Sequence, residues 1–141
     1  NESIILQIAT ECIDAGTHLK TKFYQTKKPI IGDKVELLAG IFALWAILKS
    51  SKYEESVEWA MEPHPPQITT IMLLLGIVYD KENLENRLAQ VGTGEGKSVI
   101  LAGMSIYLAL VGFKVRCACY SAYLSKRDQE SFMPLFERLG V

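Results

Sequence analysis

Val91-Gly92-Thr93-Gly94-Glu95-Gly96-Lys97-Ser98 stands between a short apolar stretch and a long apolar run, and its reading decides the fold. Glycines recur where a backbone must bend tightly around something, and a lysine and a hydroxyl follow at the start of a predicted helix. Free backbone N–H groups and the positive end of the helix dipole then face an anion. In such a cradle the Lys97 ammonium reaches the β- and γ-phosphates of a nucleotide, and the Ser98 hydroxyl takes a place on Mg²⁺. The strict pattern puts a glycine where Val91 stands. That departure removes one flexible joint and none of the phosphate-contacting groups. The plainer alternative is a glycine-rich turn capping an ordinary helix, but the context on both sides favours the cradle.

Arg87–Val91 is short enough to be a strand feeding the loop. From Lys97 to Val111 the apolar positions Ile100, Leu101, Met104, Leu108 and Val111 mark one face of a helix. Ile106, Ala109 and Leu110 make its other side apolar too, which predicts deep burial. Gly112 ends it, and Lys114–Tyr120 reads as the next strand, with Val115, Cys117 and Cys119 on one face. Strand, cradle, helix and strand make one right-handed βαβ unit. The predicted class is therefore α/β, an incomplete P-loop parallel sheet. Beyond it, Phe132, Leu135, Phe136 and Leu139 predict a last helix that Gly140 stops, with a kink or a late start at Pro134.

Upstream the pattern is helical. Ile5, Ile8, Cys12, Ala15, Leu19 and Phe23 form one stripe between Ser3 and Gln25. Asp33 and Glu36 have the spacing of a capping box, opening a helix to about Ser50 that is apolar almost all round. Tyr53–Met61 predicts a short charged helix. Pro63-His64-Pro65-Pro66-Gln67 is a stiff entry to a helix over Ile68–Tyr79, with Gln67 at its mouth. The expected division is a helical lead-in over 1–62 and a nucleotide-binding part over 63–141.

Composition narrows the classes. With 141 residues, 49% hydrophobic and 22% charged, the chain reads as one globular domain, not a disordered segment. A net charge of −1 gives no footprint for nucleic acid. Cys12, Cys117 and Cys119 form no disulfide framework and read as buried free thiols in a reducing compartment. The uncharged runs fall short of a membrane span. No strand ending in Asp or Asp-Glu follows the loop, and no later arginine is placed to neutralise a transition state. The expectation is a motor domain truncated before its second Mg²⁺ ligand, binding nucleotide and hydrolysing poorly.

Residues from about Pro63 to Val141 resemble the first nucleotide-binding domain of the SecA preprotein translocase ATPase family. Thr93-Gly94-Glu95-Gly96-Lys97-Ser98 is similar to that family's motif I. Tyr123-Leu124-Ser125-Lys126-Arg127-Asp128, followed by Glu130 and by Pro134-Leu135-Phe136-Glu137-Arg138-Leu139-Gly140, is similar to its next block. That second block separates the family from generic helicases. The resemblance implies a DEAD-type, superfamily 2 RecA-like motor fold with ATP and Mg²⁺ as cofactors. It implies that Gln67 reads adenine, that Thr93, Gly94, Glu95, Gly96, Lys97 and Ser98 bind the phosphates and Mg²⁺, and that Arg127 lies close to the nucleotide. Lys97 is the catalytic candidate and Ser98 the Mg²⁺ ligand. The implied partner of the intact protein is a translocated polypeptide. The implied location is cytoplasmic, with membrane or translocon contact through other parts of the protein. A nucleic-acid helicase of the same superfamily, or a helical interaction module with a vestigial P-loop, are the alternatives.

Overall fold

The stripe of apolar residues at three- and four-residue spacing folds into α1, Glu2–Thr26, burying Ile5, Ala9, Cys12 and Leu19. The computed structural model describes residues 2–26, 31–50, 61–79 and 84–141; the expected helix at Tyr53–Met61 falls almost wholly outside them. The second helix, α2, spans Ile31–Ser50 and buries residues around most of its circumference, with Leu37, Ile41 and Leu44 no more than 1% exposed. Asp33 lies inside its first turn and does not open it. The carboxylate instead accepts from Lys22 Nζ at 2.9 Å, tying the end of α1 to the start of α2. That ion pair corrects the capping-box reading.

Helix α3 runs Pro65–Leu74, so it starts at the prolines and not after them. Their fixed φ suits a first turn, where no N–H is needed for the helix ladder. It ends earlier than its apolar run because Gly76, at φ 69°, turns the chain into a 3₁₀ turn over Ile77–Tyr79. Helix α4, Lys97–Leu110, follows the glycine loop. Helix α5, Ala122–Leu139, is capped by Ser121, whose hydroxyl accepts from Leu124 N–H at 3.2 Å. Pro134 does not delay it: the cap starts the helix three turns earlier, and the chain stays helical through the proline. Lys49 of α2 donates to the carbonyl and hydroxyl of Ser131, at 3.3 and 3.1 Å, one turn before it.

The expected parallel sheet is absent among the described residues. Neither Arg87–Val91 nor Lys114–Tyr120 forms a strand, and the described elements are all helical. A strand exists by pairing its backbone, and a parallel pair must also be covered on both faces. These two segments lack that cover: Leu88 and Tyr120 are fully exposed. Alternation of side chains marks a face without supplying a partner. The fold is therefore a helical cluster with two irregular connections flanking α4. Of the thiols only Cys12 is buried; Cys117 is exposed and Cys119 partly so. Burial and the neighbouring Glu11 push the Cys12 thiol up to about 11, which keeps it protonated and inert.

One core joins all five helices, including Cys12 of α1, Ile41 of α2, Ile71 of α3, Ile106 of α4 and Leu139 of α5. No described helix is long and apolar enough to cross a membrane. Close approach at the centre depends on Gly103. A Cβ there would meet the Phe42 ring at 2.8 Å and Ile71 Cδ1 at 3.2 Å. Gly103→Ala is therefore expected to destabilise the chain by about 1–3 kcal/mol through overpacking, despite alanine's better helix propensity. Ile106→Ala should cost about 2–5 kcal/mol through the cavity it leaves. Denaturant melts of the two variants check both.

Candidate functional site

Gly96, with φ 74° and ψ 43°, is the N-cap of α4 and makes no side-chain cap bond. No acidic residue stands in the first turn. The N–H groups of Val99 and Ile100 return to the Gly96 carbonyl at 3.0 and 3.3 Å. Those of Lys97 and Ser98 precede the first helical bonds, so the helix presents open donors at its positive end. Most helices cover such donors with Ser, Thr, Asp or Asn. Here a left-handed glycine leaves them uncovered, which is what an anion requires.

The loop before it is shaped by two further contacts. Glu95 N–H turns back to the Gly92 carbonyl at 3.4 Å, while Thr93, Gly94 and the Glu95 side chain stay exposed. Gly94 has φ 87° and open space where a Cβ would be. Lys97 folds along the loop, its ammonium donating to the carbonyls of Val91 at 2.8 Å and Gly92 at 2.7 Å.

Gln67 reaches this loop from α3. It is 5% exposed, and both ends of its amide are used. Oε1 accepts from the His64 N–H at 3.0 Å, capping its own helix, and Nε2 donates to the Glu95 carbonyl at 3.1 Å. A side chain on Gly96 would run into that amide, so Gly96 is needed both for its backbone angle and for its missing Cβ. A cleft of about 270 Å³ opens beside the contact, lined by Pro66, Gln67, Thr70, Val91, Gly92 and Glu95 among others.

From the other side, α5 delivers Asp128. Its Oδ2 accepts the Ser98 hydroxyl at 2.8 Å. Its Oδ1 accepts from Arg127 Nε at 3.0 Å and Nη2 at 2.7 Å. Burial pushes the Asp128 carboxyl up, but hydrogen bonds from Arg127 and Ser98 and the guanidinium charge outweigh it, leaving the group below its usual 3.8. Arg127 is raised in turn, mainly by its hydrogen bond to Asp128. A hollow of about 230 Å³ lies on this side, and Ser98, Cys117, Cys119 and Asp128 all border it. Cys117 and Cys119 thus share a face as their alternation predicts, though on an irregular segment.

The donor set fits a phosphate with its cation. Open N–H groups and an ammonium suit the anion, and a hydroxyl backed by a carboxylate suits a hard divalent ion. Of the residues singled out in the sequence, Gln67 meets the loop at Glu95 and Gly96, and Arg127 meets Ser98 through Asp128. Asp128 itself has no role in the sequence reading. It lies inside the Tyr123–Asp128 block, but thirty positions separate it from Ser98, and no local spacing links them.

The sequence pattern of the SecA DEAD-like domain matches residues 10–141. Over 58 residues the chain is 47% identical to the protein translocase subunit SecA 2 of Rhodopirellula baltica, a stretch covering 40% of this chain and 9% of that protein. Over 57 residues it is 35% identical to the protein translocase subunit SecA of Clostridium kluyveri, covering 40% of this chain and 7% of that one. The matched stretches thus span under a tenth of the length of these relatives. No solved structure matches the chain.

The Asp128 geometry has a pH consequence. A carboxyl held below 3.8 contributes stability above its unfolded value, and that contribution is lost as pH falls through the folded one. The Asp128 carboxyl resonance, followed by NMR, should titrate below 3.8 in the unsubstituted chain and move upward in Arg127→Gln. A midpoint that Arg127→Gln leaves in place would show that the ion pair is not what lowers it.

Proposed function

The chain belongs to the SecA DEAD-like domain family, and from that premise we propose that it is the ATP-binding portion of a motor coupling ATP hydrolysis to polypeptide translocation. One observation carries the reading: the donor end of α4 is left uncapped by Gly96, with the Lys97 ammonium alongside. The curated relatives are themselves translocase subunits.

In this reading the backbone from Thr93 to Ser98 receives the phosphates. Lys97 exchanges the Val91 and Gly92 carbonyls for phosphate oxygens and neutralises their charge. Ser98 supplies a hydroxyl ligand to Mg²⁺, whose charge screens the phosphates when bound. Arg127 adds positive charge from α5. Gln67 reads the adenine edge only by exchanging one of its present partners, the His64 N–H or the Glu95 carbonyl. That exchange would couple base recognition to the loop. Residues 63–141 then form the first part of the nucleotide-binding domain, and 1–62 a helical lead-in packed on it. Glu95 is exposed and points to no base function, so this chain is expected to bind nucleotide and hydrolyse it poorly. A polypeptide is the substrate of the intact protein, which would work in the cytoplasm and meet a membrane translocon through other parts. The net charge of −1 argues against nucleic acid in that role.

Titration of a fluorescent ATP analogue with Mg²⁺ tests the proposal. Saturable binding is expected, weakened about 10- to 100-fold by Lys97→Ala, the range set by losing one charged hydrogen-bond donor. Phosphate release should stay at the level of the Lys97→Ala variant. Equal binding by both chains, or none by either, would leave the loop as a structural turn.

A further inference from the structure

A hydroxyl has one proton to give and two lone pairs to offer. The Ser98 proton is committed to Asp128 Oδ2 at 2.8 Å, which leaves the lone pairs for a cation. Asp128 accepts with its other oxygen from Arg127, its neighbour on α5, through Nε and Nη2 at 3.0 and 2.7 Å, which restrains the carboxylate. Its side chain is 23% exposed, so the link is only partly shielded from water. The three residues form a line from α5 to the first turn of α4: guanidinium, carboxylate, hydroxyl.

We propose that Asp128 is the positioning residue of the Mg²⁺ site: it holds Ser98 by its proton, keeps the hydroxyl lone pairs free for the cation, and places a negative charge directly behind that ligand. Asp128 acts through Ser98 in this arrangement: Oδ1 accepts both Arg127 bonds and Oδ2 accepts the Ser98 hydroxyl. Outer groups of this kind tune metal affinity by orienting the ligand and raising its basicity, and their removal typically costs about 10- to 100-fold in affinity. This inference rests on the nucleotide reading above.

The test separates the metal from the nucleotide. A fluorescent ATP analogue is titrated into the full chain in EDTA, and then at fixed nucleotide with increasing Mg²⁺. Asp128→Asn keeps the shape and removes the charge. It is expected to leave binding in EDTA within about twofold while raising the Mg²⁺ midpoint about 10- to 100-fold. In a Ser98→Ala background the same change should have no further effect, because the two residues act as one unit. An unchanged midpoint in Asp128→Asn overturns the proposal. So does an equal loss of affinity with and without Mg²⁺, which would mark a structural role. If Asp128→Asn fails to fold by circular dichroism, Asp128→Glu, which displaces the carboxylate, should shift the midpoint in the same direction, and no shift overturns the proposal. Absence of any nucleotide binding by the unsubstituted chain overturns the nucleotide reading and this inference with it. Binding with an unmoved midpoint overturns this inference alone.

Discussion

Burial of α4 against α2 and α3 fixes where its N-terminus stands, and the candidate site depends on that constraint. Ile106 is fully buried, and Gly103 lets the Phe42 ring and Ile71 close on the helix axis. A helix is a rigid rod over fourteen residues, so packing in its middle sets the place of Lys97 and Ser98 at its end. The donors there cost free energy if they are buried without partners. They are tolerable because the loop keeps them at the surface, where water satisfies them.

Two other helices then reach the same end from different directions. Helix α3 brings Gln67, whose amide caps its own helix and braces the loop at Glu95. Helix α5 brings Asp128 and Arg127 to Ser98. The positive charge near the loop is local, coming from Lys97 and the helix dipole, with Arg127 paired to Asp128, while the chain as a whole is close to neutral. Such a local charge gives no extended field for a polyanion.

Helices were legible in the sequence because a 3.6-residue period carries its own backbone partners. The stripe of Ile5, Cys12 and Leu19, the nearly all-round burial of α2 and the stop at Gly140 all followed from local pattern. Boundaries set by side-chain competition were less legible. Asp33 had two uses open to it, a cap or an ion pair, and Lys22 decided between them. The prolines before Gln67 could end one element or begin another, and the fold used them as a first turn. Segment 114–120 had a two-residue rhythm and segment 87–91 only a strand's length, but a strand is defined by a neighbour that neither reveals.

The sequence by itself determined the glycine loop that opens α4, since the glycines, Lys97 and Ser98 are contiguous along one backbone. It also determined the long buried helix behind them. Only the tertiary structure decided that Gln67 would be spent on the loop and its own helix cap, that Gly96 must lack a Cβ for that reason, and that Asp128 would meet Ser98. Those contacts join residues about thirty positions apart, Gln67 of α3 with the loop before α4 and Asp128 of α5 with the first turn of α4. Their geometry is fixed by how the helices pack on a shared core, a property of the whole chain that no short stretch of it contains.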